Sequence, residues 1–204
     1  MPSDPGTCAR DLIKALTTLA FLAAGLLCLG TPEPALAKPK RDRATAQHLA
    51  QELRATGRYR VILTRTDDRY VKLNQRLAKS YGAAMFISLH ADASRDRTAR
   101  GASVYARSGA TARTAMFHGT ARLQQTMIDN LDDDLRMTGA PAREARLHVL
   151  ANPTAPSVPV EIGSISNRQD EAQLLQPRHR ATIAAAIRDA VDEHFAQERL
   201  ATRG

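Results

Sequence analysis

Apolar and polar positions along this chain follow two rhythms, the 3.6-residue spacing of helices and the short unbroken runs of buried strands. From Ala44 to Thr56 the apolar residues Ala46, Leu49, Ala50 and Leu53 recur at helical spacing, and Gly57 supplies a stop. Tyr59 to Leu63 predicts a strand running into Thr64-Arg65-Thr66-Asp67-Asp68. A short helix with Leu73, Leu77 and Tyr81 on one side follows. Met85, Phe86, Ile87 and Leu89 then read as a buried strand that delivers His90 and Asp92 at its C-terminal edge. Beyond the polar loop Ala91 to Thr98, Gly101 to Ala106 predicts a strand and Thr111 to Leu131 a long helix. Asp132-Asp133-Asp134 and Gly139-Ala140-Pro141 mark a loop. Leu147 to Leu150 and Val158 to Ile162 are the last predicted strands. Pro177 to Glu198 closes the chain as a helix, with Ile183, Ile187, Val191 and Phe195 at four-residue spacing. Such alternation predicts a single α/β domain, a mostly parallel sheet flanked by helices.

Charge narrows the choice of partners. The 204 residues carry a net charge of +8, which favours anionic polymers. No nucleic-acid motif and no aromatic interleaving accompany that charge, so nucleic acid is not expected as a partner. Acidic membranes and a negatively charged cell envelope remain as anionic partners. The cysteines, Cys8 and Cys28, both precede residue 38, so a processed form would need no disulfide.

Leu16 to Gly30 is apolar but short for a membrane span, and Ala35-Leu36-Ala37 gives a small-x-small pattern before Lys38. These features predict export to the periplasm or the extracellular space. Residues 1–37 would form a signal-peptide-like segment that does not pack into the domain. Residues 38–204 would form the mature protein, with no stable membrane span after processing.

Two side chains carry the candidate chemistry. His90 stands at a strand's C-terminal edge, where ligands and metals collect in α/β proteins. Glu161 lies within the apolar run Val158-Pro159-Val160-Glu161-Ile162-Gly163, where a carboxylate is costly unless paired, metal-linked or functional.

Several segments in order resemble the zinc-dependent N-acetylmuramoyl-L-alanine amidases of bacterial cell walls. They are Ala55 to Arg65 with Asp68, Leu73 and Arg76; Phe86 to Asp92; Arg100 to Tyr105; and Val149-Leu150, Pro156, Val160 to Gly163 and Ile165-Ser166-Asn167. The resemblance spans roughly residues 44–195. It implies a peptidoglycan hydrolase that cuts the amide between N-acetylmuramic acid and the L-alanine of the stem peptide. It implies zinc held by two His and one Glu, with His90 matching one His ligand. It also implies that Glu161 is the proton-transferring residue, and that Arg65, Asp68 and Arg76 form a structural charge network.

The departures are as specific as the matches. The family's opening strand ends in Gly-His-Gly-Gly, and a Glu-Lys pair begins its first helix; neither is present, so the first strand is expected to be missing. Lys38 to Arg43, where the Glu ligand would fall, offers only Asp42 as an acid. His48 and Glu52, at i and i+4, share a helix face and are the alternative metal pair. His118, His148, His179 and His194 are scattered and suit surface or interface roles. Ser164 stands where the family usually has an aromatic, and Pro159 interrupts a central strand. Other readings therefore stand beside the hydrolase: a catalytically incomplete relative that binds the wall or a wall protein, or a start or frame error of an active amidase.

Overall fold

A computed structural model describes residues 12–17, 39–67, 69–107, 115–147 and 155–202, with the backbone alone described for 12–17, 39–41 and 115–118. The chain order is β1 (Leu12–Thr17), α1 (Pro39–Ala55), β2 (Arg60–Leu63), α2 (Leu73–Ala78), β3 (Met85–Asp92), β4 (Ala102–Arg107), α3 (Ala115–Asp132), β5 (Met137–Ala145), β6 (Ser157–Ser164), α4 (Arg168–Leu175) and α5 (Pro177–Ala201). The strands form one sheet in the order β2-β1-β3-β6-β4-β5. All neighbouring pairs are parallel except β4 with β6.

Strand alternation separates two faces. Met85, Ile87 and Leu89 of β3, Val158, Val160 and Ile162 of β6, and Ala102 and Val104 of β4 share one core with Leu49 and Leu53 of α1, Leu123 and Met127 of α3, and Ile183 and Ile187 of α5. Helix α5 packs against both α1 and α3, so these three helices form the layer over that face. Each fully buried Leu, Ile or Val stabilises the fold by about 1.5–3 kcal/mol. The intervening residues of the same strands, Ser88 and His90, Ser157 and Glu161, Ser103 and Tyr105, belong to the opposite face. Phe86 and Pro159 share that face, whose other positions are small or polar and carry the candidate chemistry.

Three expectations are corrected. The first strand is not missing: the backbone of Leu12–Thr17 lies between β2 and β3, with Ile13 partnered by both Val61 and Met85. The segment read as separable from the domain therefore contributes a central strand, because Leu12 to Leu16 pairs as well in a sheet as it would serve in a leader. The loop expected at Gly139-Ala140-Pro141 lies inside β5, an edge strand, where Pro and Gly cost little and a register shift between Ala102 and Val104 absorbs the irregularity. The short helix α2 ends at Ala78, so Tyr81 does not share its side with Leu73 and Leu77; Leu73 and Tyr81 are both about half exposed. The expected strand at 147–150 and residues 111–114 of the expected long helix fall largely outside the described residues, as do Cys8, Cys28, Asp68 and His148.

Helix α4 lies outside the elements that the apolar pattern predicts. Asn167 caps α4, its side chain accepting the N–H groups of Gln169 and Asp170, with Asp170 and Glu171 in the first turn. That helix turns the chain away from the end of β6.

Candidate functional site

Parallel pairing sets the site. His90 on β3 and Glu161 on β6 are register partners, so their side chains leave the sheet side by side on the same face. Both are buried, at 4% and 7% exposure. On the far side of β6, Ser103 of β4 is the antiparallel partner of Glu161 and is buried too. The carboxylate and the imidazole therefore stand on a floor of serines.

Backbone and side-chain bonds hold this edge together. The Ile165 N–H donates to the Asp92 carbonyl at 2.8 Å, and the Ser94 N–H to the Ser166 hydroxyl at 3.1 Å, joining the loops after β3 and β6. Asn167 Nδ2 donates to the Arg97 carbonyl at 2.9 Å. Asp170, buried in α4, accepts the N–H groups of Gly101 and Ser164 and lies 3.6 Å from Arg100 Nε. The residues Ile165, Ser166 and Asn167 thus act as fasteners for the sheet edge.

The electrostatics are dominated by carboxylates. Burial first, and then the charges of Asp92 and Asp42, push the Glu161 carboxyl up to about 8, while Arg143 pulls the other way. Asp42 reaches this edge because α1 begins there; it lies in the helix's first turn and is 1% exposed. The Oε2 atom of Glu161 has no hydrogen-bond partner among the described residues. A buried carboxyl left this way gains by meeting a donor such as water or an amide.

His90 Nε2 and the Ser88 hydroxyl share a hydrogen bond of 2.6 Å. Among the described residues no group of three or more His, Cys, Asp and Glu side chains is placed to hold a metal ion. These residues do not fit the zinc shell that the family resemblance implies, which needs three protein ligands and an open position. The alternative pair fails as well, because Glu52 is exposed and bound to Arg188 at 2.8 Å. His179 is half-buried on α5, and burial holds it below the usual imidazole range. His194 is fully buried against Glu198 at 3.3 Å. Asp132, Asp133 and Asp134 are exposed at the end of α3. Of the expected charge network, Arg76 is buried and donates to the Val71 carbonyl at 2.6 Å.

The sequence model of the N-acetylmuramoyl-L-alanine amidase family matches residues 40–193. The chain belongs to that family. Among curated relatives of this amidase-family chain, the probable cell wall amidase LytH of Staphylococcus epidermidis is 32% identical over 166 residues, covering 81% of this chain and 52% of the relative. LytH of Staphylococcus aureus is 32% identical over 155 residues, with 74% and 47% covered. The chain spans about half the length of these relatives.

The fold agrees with solved amidase structures. The amidase Ami1 of Mycobacterium smegmatis superposes with a TM-score of 0.76 at 19% identity, covering 93% of this chain and 99% of that one. The catalytic domain of CwlV from Bacillus (Paenibacillus) polymyxa gives 0.73 at 21%, with 91% and 98% covered. At such identities the likeness concerns the fold, a mixed, mostly parallel sheet flanked by helices. It is the fold class expected from the sequence, with the first strand present.

Sequence reasoning passes over Arg143 and takes Tyr105 only as part of a matching strand. The Arg143 guanidinium lies 5.9 Å from the Tyr105 ring centroid, and its Nη1 donates to the Tyr105 hydroxyl at 3.3 Å. The signal available was weak, since β5 was not recognised as a strand.

Proposed function

We propose that this chain is a peptidoglycan hydrolase of the N-acetylmuramoyl-L-alanine amidase type, acting on the cell wall outside the cytoplasmic membrane. The observation that carries the reading is the His90–Glu161 pair, buried side by side at the C-terminal edge of adjacent parallel strands. In this reading the ionised form of Glu161, the minor form below about pH 8, accepts a proton from the attacking water as the water oxygen bonds to the amide carbon. It returns that proton to the nitrogen of L-alanine as the carbon–nitrogen bond breaks, so atoms and charge balance. His90 fixes the reacting group beside it. The basic net charge of the chain suits an anionic wall, and the relatives named as cell wall amidases support this site of action. No helix of the described residues is long and apolar enough to cross a membrane. Zinc is the family's expected cofactor, but the described residues do not complete its shell.

That incomplete shell also favours a second reading, a relative that binds peptidoglycan without turnover. One experiment separates the two. Purified full-length protein is incubated with isolated cell walls, with and without added zinc, and both wall-bound protein and released stem peptide are measured. Release that disappears in His90→Ala and Glu161→Gln supports the hydrolase. Binding without release supports the second reading, and absence of both overturns the assignment to peptidoglycan.

A further inference from the structure

The candidate site has a marked polarity. On its β3 side stand Asp92 and, from the start of α1, Asp42; both act on Glu161 as like charges. On its other side, across β4, the positive charge acting on Glu161 among the described residues is Arg143 of the edge strand β5. An anionic ligand lying over Glu161 is repelled from one end of the site and attracted to the other.

Geometry gives Arg143 a fixed stance. Tyr105, its register partner on β4, is two residues from Ser103 and so shares the face of Glu161. The guanidinium is held over the Tyr105 ring and bonded to its hydroxyl, while the Arg143 carbonyl accepts from Gln124 of α3 at 2.9 Å. Its Nε donates to the Ala140 carbonyl at 3.4 Å, but Arg143 is solvent-exposed, so the outer edge of the guanidinium remains accessible to a carboxylate. Arg143 stands two strand spacings, about 10 Å, across the sheet from Glu161 and two residues, about 7 Å, along it, so the two backbone positions are roughly 12 Å apart. In an extended peptide the second residue's carboxylate lies about 7 Å from the bond preceding the first residue, and an arginine side chain spans the difference.

We propose that Arg143, braced by Tyr105, binds the free carboxylate of the second residue of the peptidoglycan stem peptide and thereby orients the muramoyl amide over Glu161. This inference rests on the peptidoglycan reading above, so binding rather than turnover is the better readout.

The test uses soluble muropeptides that differ only in whether the second residue carries a free carboxylate or its amide, titrated against the full-length protein. Wild type is expected to bind the free acid about five- to ten-fold more tightly. Arg143→Gln is expected to remove that preference, so that the two forms bind equally. Arg146→Gln, the same charge change at a nearby exposed position, is expected to keep the preference. Equal binding of both forms by wild type, or a preference that survives Arg143→Gln, overturns the proposal while leaving the peptidoglycan reading intact. A preference lost equally in Arg146→Gln also overturns it, in favour of general charge attraction. Failure of wild type to bind either muropeptide overturns both.

Discussion

The Asp170 carboxylate accepts the Ser164 N–H at 2.9 Å, and the same oxygen accepts the Gly101 N–H at 2.8 Å. One buried side chain therefore ties the end of β6 to the start of β4, two residues from Ser103 and three from Glu161. Removing it leaves buried N–H groups without an acceptor. Asp170→Ala is expected to lower unfolding stability by roughly 2–4 kcal/mol, with Asp170→Asn intermediate because its amide oxygen still accepts. Urea denaturation followed by circular dichroism checks this; a loss under about 1 kcal/mol would mean that the edge is held mainly by other bonds.

Gly101 is constrained twice. Its φ is +99°, and an added Cβ would meet the Met137 carbonyl carbon and oxygen at 2.7 Å, backbone atoms that cannot rotate away. Gly57 has a φ of +69° but open space around it. Gly101→Ala is expected to cost about 3 kcal/mol and Gly57→Ala about 1 kcal/mol. Equal losses in thermal denaturation would show that backbone conformation alone matters at Gly101.

The pH dependence of stability should carry the mark of Glu161. Folded Glu161 keeps its proton up to about pH 8 because burial, then Asp92 and Asp42, disfavour its charge; the ordinary value is 4.5. Stability linked to that proton is complete below pH 4.5 and is lost as pH rises through 8. Glu161→Gln cannot ionise, so its advantage over wild type should widen from pH 5 to pH 9. Parallel stability curves for the two proteins would contradict the buried, protonated carboxyl.

Much of this architecture is legible in the sequence, for physical reasons that also explain the gaps. Strands β3 and β6 are buried on both faces, and such strands write continuous apolar runs into the chain, which made His90 and Glu161 conspicuous. Helix α5 shows through Ile183, Ile187 and Val191 because one stripe faces the core. Strand β5 lies at the sheet edge, where Gly139 and Pro141 carry little penalty, and so it read as a loop. Helix α4 is short, and its only clear sign was Asn167 followed by acidic residues, a capping pattern. Arg143 followed β5 into obscurity. Strand β1 was hidden because a strand and the start of a leader draw on the same apolar residues.

Zinc affinity offers a direct measure of the site. With Ser88 bonded to His90 Nε2 and no three-residue metal group among the described residues, added zinc is expected to raise the melting temperature little. A ligand held at 100 times its dissociation constant would stabilise the fold by about 2.7 kcal/mol, which is readily seen. A rise of that size, removed by chelator and absent in His90→Ala, would show that ligands beyond the described residues complete the shell.

The place of β1 leads to the sharpest test. Its backbone pairs with β2 on one side and β3 on the other, so the strand is internal to the sheet. Cleavage after Ala37, the position suggested by the small-x-small pattern, would remove it and uncover the facing edges of β2 and β3. Unpaired edges of apolar strands cost hydrogen bonds and invite association with other chains. The fragment 38–204 is therefore expected to aggregate or to melt well below the full-length chain. Replacing Ile13 by Pro should reproduce the defect in the full-length chain, since Pro cannot donate to a ladder and Ile13 is a register partner on both sides. Light scattering and thermal denaturation of the three proteins decide the matter. If 38–204 is monomeric and as stable as the full chain, Leu12–Thr17 is dispensable and the leader reading of residues 1–37 is restored.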